Sequence, residues 1–417
     1  LSARGFAPFD AMALGTRAEA MVAELAAISA DPDRLVRLFL TREHRRAADL
    51  VSGWMREAGL SVSEDALGTV RGRFGGGGRR LLIGSHIDTV LDAGKYDGAL
   101  GVIAGILAAE HFARAKAELP LGLDILAFGD EEGSRFPATL TSSSACVGAF
   151  ERDALTTVDR AGITFNQALR AYGKDPKDIP AAAYSAQEAA GYIELHIEQG
   201  PVLEANEAPL GIVTGIVGQA RLSVTVTGEA GHAGTVPMNL RRDPYAGAAE
   251  MALALEKIAR EHPEDGMVGT VGRVETEPGA VNIIPGRVRF TVDLRSLTDA
   301  LREQATERFA AEADRIARAR GLKIAIESFH EIATAHCAPA LQEALAASIA
   351  ELGHKPIRLP SGAGHDAQVM ARLCPSAMLF VRCRGGVSHN PAEFTSVADM
   401  GAAIAALIRF IEKFRPS

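Results

Sequence analysis

The sequence predicts an α/β protein in which a mixed-sheet domain is interrupted by an α+β insertion. Three observations predict it. Short apolar runs such as LLIG (81–84) and LGLDILAF (121–128) alternate with helical patterns, the order expected of strands joined by helices in an α/β sheet. Between residues 211 and 331 the order changes to strand, helix, strand, strand, helix, strand, a βαββαβ unit with helices on one face of an antiparallel sheet. After residue 331 the first pattern resumes, so residues 1–210 and 332–417 read as one domain and 211–331 as an inserted one.

Composition narrows the class. At 417 residues with 47% hydrophobic content, the chain has enough apolar material for two cores. Its 44 basic and 52 acidic residues give a formal charge of -8 without a basic cluster, which argues against nucleic acid or an anionic membrane as partner. The segment Leu1 to Ala30 breaks its apolar residues with Arg, Asp and Glu, so neither a signal peptide nor a membrane span is expected there. Cys146, Cys337, Cys374 and Cys383 are scattered and lack CxxC spacing. They fit reduced, buried thiols in a cytoplasmic protein, not a cysteine-built zinc site.

In chain order, RAEAMVAELAAIS and REHRRAADLVSGWMREAG carry apolar residues at helical spacing, the second ending at Gly59. LSVSEDALGTVRGRF alternates as strands do, and Gly75 to Gly78 with Arg79 and Arg80 read as a polar hairpin turn. No Gly-Lys-Ser/Thr follows those glycines and a strand comes next, which excludes a phosphate-cradling loop. In LLIGSHIDTVLDAGKYDGALG (81–101) a strand ends in His86 and Asp88, and a glycine-rich turn delivers Asp97 to the start of a helix. Alternate strand residues share a face, so Asp88 is placed to orient His86. The strand Leu121–Phe128 ends in Asp130, Glu131 and Glu132, whose adjacent carboxylates point different ways: one can bind metal while its neighbour faces a reacting carbonyl as general base. GYIELHIEQGPVLE sets Glu194, His196 and Glu198 on one strand face. Taken singly, these read equally as a polar strand end, a solvated acidic turn and a structural histidine.

Within the insertion, GEAGHAGT places His232 in a glycine-flanked loop, GAVNIIPG places Asn282 before a strand, and DLRS places Arg295 at a strand end, all positions able to serve a ligand. The glycines 211, 215 and 218 have the wrong spacing for a nucleotide fingerprint and open a strand. Beyond the insertion, SGAGHDA offers Gly364, His365, Asp366 and backbone amides able to take an anion, and GGVSHNPAEF carries His389. Together His86, Asp97, Glu132, His196 and His389 supply three imidazoles and two carboxylates, a set suited to two divalent ions of zinc or manganese type. One carboxylate must bridge. The position of Asp97 makes it the bridge, giving one ion Asp97, Glu132 and His389 and the other His86, Asp97 and His196, with an open position on each for a shared hydroxide.

The segments HxD, KYDG, GDEEG, ELHIEQGPVLE, GHAGT, VNIIPG, SGAGHDA and SHNPAE resemble the binuclear-metal amidohydrolase branch of the aminoacylase and carboxypeptidase G superfamily. That branch contains allantoate amidohydrolases, N-carbamoyl-L-amino-acid hydrolases and β-ureidopropionases. The resemblance implies a catalytic domain of zinc-exopeptidase type and a ferredoxin-like insertion acting as lid and homodimer contact. It implies Glu131 as general base, with Asp88 assisting, and substrate contacts from Gln199, Gln219, His232, Asn282, Arg295, Gly364 and His365. In that reading Arg295 takes a carboxylate, His232 the developing oxyanion, and the Gly364–His365 loop acts chiefly through its backbone. The implied substrate is a small ureido carboxylate, allantoate first and an N-carbamoyl-L-amino acid second. A dipeptidase or aminoacylase is disfavoured by histidine at 196 where peptidase relatives carry a carboxylate. An inert relative that only binds a small carboxylate is disfavoured by the presence of all five ligands and Glu131.

Overall fold

The computed structural model describes residues 9–76, 78–262 and 266–415, so Leu1 to Pro8 of the N-terminal segment and Gly77 of the glycine run lie outside the described residues. The chain divides into two compact units, Leu1–Thr214 with His336–Ser417, and Gly215–Ala335. No helix among the described residues is long and apolar enough to cross a membrane.

The first part of the chain carries β1 (Ser61–Glu64), β2 (Val70–Phe74), β3 (Arg80–His86), β4 (Gly122–Phe128), β5 (Ala189–Ile197) and β6 (Leu210–Ile216). The insertion follows with β7 (Gly218–Thr227), β8 (Gly231–His232), β9 (Val268–Glu277), β10 (Ile283–Ile284), β11 (Arg287–Ser296) and β12 (Lys323–Ile332). The chain then returns through β13 (Ala335–His336), β14 (Ile357–Ser361) and β15 (Ser376–Val381). The large sheet runs β1-β2-β4-β3-β5-β15-β6-β13, with β14 beside β6. Its centre, β4-β3-β5-β15, is parallel. The flanking pairs β1/β2, β2/β4 and β15/β6 are antiparallel, which makes the sheet mixed. Each of the four central strands is buried along its whole length, as strands covered on both faces must be.

Local sequence explains the helices that brace this sheet. Asp10 caps the helix Ala11–Ala26 by accepting from the Met12 and Ala13 amides, and Thr41 caps Arg42–Glu57 by accepting from the His44 amide. That second helix stops before Gly59, which sits at φ 85°. The helix Ala99–Arg114, between β3 and β4, is buried on nearly every side, consistent with its run of small and aliphatic residues.

The glycine segment before β3 is not a hairpin turn. β4 lies between β2 and β3 and pairs with both, so the two strands flanking the glycines never meet. The alternation before the glycines and the apolar run after them identified the two strands but carried no information on which edge of β4 each would take.

In the second unit the sheet order is β12-β7-β11-β9, every pair antiparallel. With helices Pro244–Ala259 and Asp299–Ala319 this is the βαββαβ arrangement. Val288, Phe290, Val292 and Leu294 point from β11 into a core shared with Met251, Leu255, Phe309 and Ile316. The pattern switches there from period two on the strand to helical spacing on its cover.

One buried group gives the first unit a built-in acid sensitivity. His44 is fully buried, its ring edge-on to Phe39 at 5.4 Å, and neither ring nitrogen has a hydrogen-bond partner. Burial, aided by Arg37, Arg45 and Arg135, lowers its pKa from 6.5 to about 3. The folded value lies below the unfolded one, so the neutral ring's contribution is intact above pH 6.5 and erodes as pH falls toward 3. His44→Leu should therefore flatten the fall in urea midpoint across that interval; an unchanged slope would exclude His44 as a source of it.

Candidate metal centre

The four parallel strands bring their carboxyl ends to one edge of the sheet, the place where α/β folds bind ligands. β3 ends at His86, β4 leads into Asp130, Glu131 and Glu132, His196 is the penultimate residue of β5, and β15 leads into the loop with Ser388 and His389. The buried Arg37 fixes the turn after β3, donating from Nε to the Ile87 carbonyl at 2.6 Å. The Ile87 amide in turn donates to Phe128 O at 2.9 Å, which ties the two strand ends together.

Asp88 couples the same two ends chemically. Its carboxylate accepts from the Glu131 amide at 3.1 Å and the Glu132 amide at 3.3 Å. One of its oxygens lies 3.4 Å from His86 Nδ1, and its carbonyl lies 3.1 Å from the same nitrogen. His196 Nδ1 likewise meets the Ile197 carbonyl at 2.9 Å. Holding Nδ1–H against a carbonyl leaves Nε2 as the nitrogen presented to the site, the arrangement a metal-binding imidazole requires. Both Nε2 atoms face Asp97 Oδ1, at 3.0 Å from His196 and 3.5 Å from His86. His389 Nε2 lies 3.4 Å from Asp97 Oδ2 and 3.5 Å from Glu132 Oε1.

Gly98 makes this packing possible. It sits at φ 64°, and a Cβ there would stand 2.5 Å from the His86 ring. The glycine of KYDG is therefore a close approach between chain and ligand side chain as well as the residue that starts the helix behind Asp97.

Among the described residues three sets bring one ligand atom each within 4.8 Å of one another: His86, Asp97 and His196; Asp97, Glu132 and His389; and His86, Glu131 and Glu132. Their electrostatics fit a cation. Burial pushes Glu131 well above the usual carboxylate range, helped by Glu132, Asp366 and Asp88 and opposed by His86. Burial and then Asp97 raise Glu132 to about 7. Burial also works against a charged His86, yet hydrogen bonds to Asp88 and Asp97 outweigh it and raise that imidazole well above its ordinary value. Asp97, despite burial, is held well below the carboxylate range by the three imidazoles. Crowded carboxylates that pull protons onto their neighbours mark a place where positive charge is wanted, and the mixed nitrogen and oxygen donors suit zinc or manganese.

Residues 82–413 match the model of Peptidase family M20/M25/M40. The chain belongs to that family. It is 41% identical to an allantoate deiminase of Arabidopsis thaliana, over 96% of this chain and 82% of that protein. It is 40% identical to an N-carbamoyl-L-amino acid amidohydrolase of Geobacillus stearothermophilus, over 95% of this chain and 97% of the relative. A crystal structure of an amidase of the hydantoinase/carbamoylase family from Burkholderia multivorans superposes with a TM-score of 0.88 at 32% identity, covering 95% of this chain and 97% of that one.

The residues expected to act on substrate fall into separate groups. In the first unit Gln199, at φ 57°, donates from Nε2 to Asp97 Oδ2 at 2.9 Å, while its buried Oε1 has no hydrogen-bond partner. Gly364 is exposed, but His365 is 1% exposed, with its ring 4.5 Å from that of His196 and its Nε2 2.9 Å from Ser361 Oγ. In the second unit Gln219 and Arg295 are cross-strand partners, and Arg295 Nε donates to Asp293 at 2.8 Å. His232 and Asn282 are exposed together where the Ala233 amide donates to Asn282 O at 3.0 Å. The two acidic residues read as sharing a strand face with His196 are structural supports. Glu194 accepts from Ser85 Oγ at 2.9 Å and the Ala367 amide at 2.7 Å, and Glu198 accepts from the Val202 amide at 2.7 Å.

Sequence reasoning assigned no role to Ser388 or Glu393. Glu393 Oε1 accepts the Tyr96 and Asp97 amides at 2.8 and 3.1 Å, and Ser388 Oγ donates to Asp97 Oδ2 at 2.9 Å. Both lie in the SHNPAE segment that carries His389, which was the available signal.

The Gly98 contact yields a direct test. Gly98→Ala should weaken metal binding by about 10-fold or more, as displaced supporting groups do. Gly162→Ala, at φ 79° with nothing within 4 Å, carries the same backbone strain and should leave binding intact. Equal metal content in both variants, read by mass spectrometry of dialysed protein, would refute the role of the contact.

Proposed function

We propose that this hydrolase cleaves a carbamoyl group from a ureido carboxylate, with allantoate as the first substrate, releasing ammonia and carbon dioxide. The observation that carries the proposal is the placement of Glu131. Its side chain is mostly buried, has a raised pKa, lies 3.9 Å from His86 Nε2, and neighbours the two sets that share Asp97. We assign His86, Asp97 and His196 to one divalent ion and Asp97, Glu132 and His389 to a second, with Asp97 shared. Zinc or manganese held by these residues would supply Lewis acidity to polarise the ureido carbonyl and acidify water.

The chain's own groups then have defined tasks. Glu131 takes a proton from the attacking water and returns it to the departing nitrogen, a task that the rise in its pKa favours. Asp88 holds His86 and the Glu131–Glu132 backbone in register. Gln199 offers Oε1 to a substrate N–H, Arg295 pairs with the carboxylate, His232 with the developing oxyanion, and Asn282, Gln219 and the Gly364–His365 loop complete recognition. Water adds to the carbonyl carbon, the C–N bond breaks, and the resulting carbamic acid decomposes to carbon dioxide and ammonia.

An N-carbamoyl-L-amino acid is the second reading, supported by the relative of that name at 40% identity. β-Ureidopropionate is a variant of the same chemistry, and dipeptide or acyl-amino-acid cleavage is disfavoured. We also propose a cytoplasmic homodimer. The four buried free thiols fit a reducing compartment, and β9 is a sheet edge that exposes Val268 and Val274 at 50% each. Sedimentation equilibrium at 43.9 kDa, the mass of one chain, would count against the dimer.

Glu131→Gln should retain metal and lose about 100-fold or more of turnover, the contribution typical of a general base. Near-normal turnover would remove Glu131 from that role. Ammonia release from allantoate and a panel of N-carbamoyl-L-amino acids, at matched concentrations, decides between the two substrates. A chelator should abolish release from either, and activity that survives complete metal removal would overturn the metal-dependent reading.

A further inference from the structure

The two oxygens of Asp97 have unlike surroundings. Oδ1 faces two imidazoles, His86 and His196, each 1% exposed and each held through Nδ1 by a backbone carbonyl. Oδ2 faces one imidazole, His389, whose side chain is 51% exposed. It also receives hydrogen bonds from Gln199 Nε2 and Ser388 Oγ, both at 2.9 Å.

Ser388 is itself held from behind. Its Oγ lies 3.2 Å from Glu393 Oε2, and the other oxygen of Glu393 accepts the amides of Tyr96 and Asp97. Glu393 reaches this position only because Gly94 leaves room, since a Cβ there would lie 2.3 Å from its carboxyl carbon. Glu393 thus fixes the backbone of Asp97, which carries both oxygens, and the hydroxyl that contacts Oδ2, whereas Ser388 meets the Asp97 carboxylate at Oδ2.

We propose that Ser388 is a positioning residue for one ion only, the one assigned to Asp97 Oδ2, Glu132 and His389, that Glu393 supports Ser388 and the shared Asp97 backbone together, and that this ion exchanges more readily than its neighbour. The physical reasons are additive. One imidazole replaces two, and the histidine at this position is half exposed and reachable by water and chelators. The ion between His86 and His196 has ligands that are sealed from solvent and fixed in one tautomer.

The inference rests on the two-ion reading above. Its test is chelator extraction of metal-loaded protein at graded free-metal concentration, with bound metal counted by mass spectrometry for wild type, Ser388→Ala and Glu393→Gln. Wild type should release its ions in two steps. Ser388→Ala should weaken the looser step by about 10–100-fold and leave the tighter step in place, and Glu393→Gln should weaken the looser step at least as far. A common shift of both steps in Ser388→Ala, no shift in that variant, or release of two ions in a single step from wild type overturns the inference alone. Wild-type protein that never holds two ions overturns the two-ion reading and the inference with it. Thermal unfolding of the metal-free proteins controls for folding, and Ser388→Ala, the smaller change, carries the test if Glu393→Gln proves unstable.

Discussion

The Asp97 carboxylate holds three imidazoles from three separate chain segments against its two oxygens, and much of the surrounding architecture serves that arrangement. A carboxylate buried among imidazoles and other carboxylates is costly to desolvate, so every neighbour has to be fixed. Gly98 lets the turn close onto His86, Asp88 ties the ends of β3 and β4, and Glu393 grips the backbone of Asp97 itself. Losing one member would leave the others as uncompensated buried charge, which explains why the supports are as closely packed as the ligand groups.

The same crowding links stability to chemistry. Glu131 and Glu132 have raised pKa values because burial and neighbouring charge disfavour a second and third negative group in one small volume. A carboxylate whose affinity for a proton is raised is suited to moving protons in a hydrolysis, and a carboxylate short of positive charge is a good metal ligand. One electrostatic condition therefore prepares both the acid–base group and the cation site.

Much of the fold was legible in the sequence because its period changes are abrupt. The switch from buried apolar runs to alternating strands comes after β6, which still belongs to the large sheet, and the second sheet starts with β7 at Gly218; RVRFTVDLRS alternates in burial as its sequence does. His86, Glu132, His196 and His389 converge because each is placed at or just beyond the end of a strand, and the parallel order β4-β3-β5-β15 sets those ends side by side. Strand pairing was less legible. Nothing in VRGRF or RLLIGSH says that β4 will lie between them, so the glycine segment looked like a hairpin. Supporting polar groups were also hidden, since Ser388 and Glu393 gain their meaning only from a backbone nearly 300 residues away in sequence. Glu194 shows the converse: its strand position suits a ligand, but Ser85 and Ala367 already occupy its oxygens.

The account stands on a pair of cations sharing Asp97, and anomalous scattering from crystals of metal-loaded protein at the metal's absorption edge tests this most directly. It predicts two peaks on opposite sides of the Asp97 carboxylate, one among His86 and His196 and the other between Glu132 and His389. A single peak, or two peaks that do not share Asp97, would contradict it.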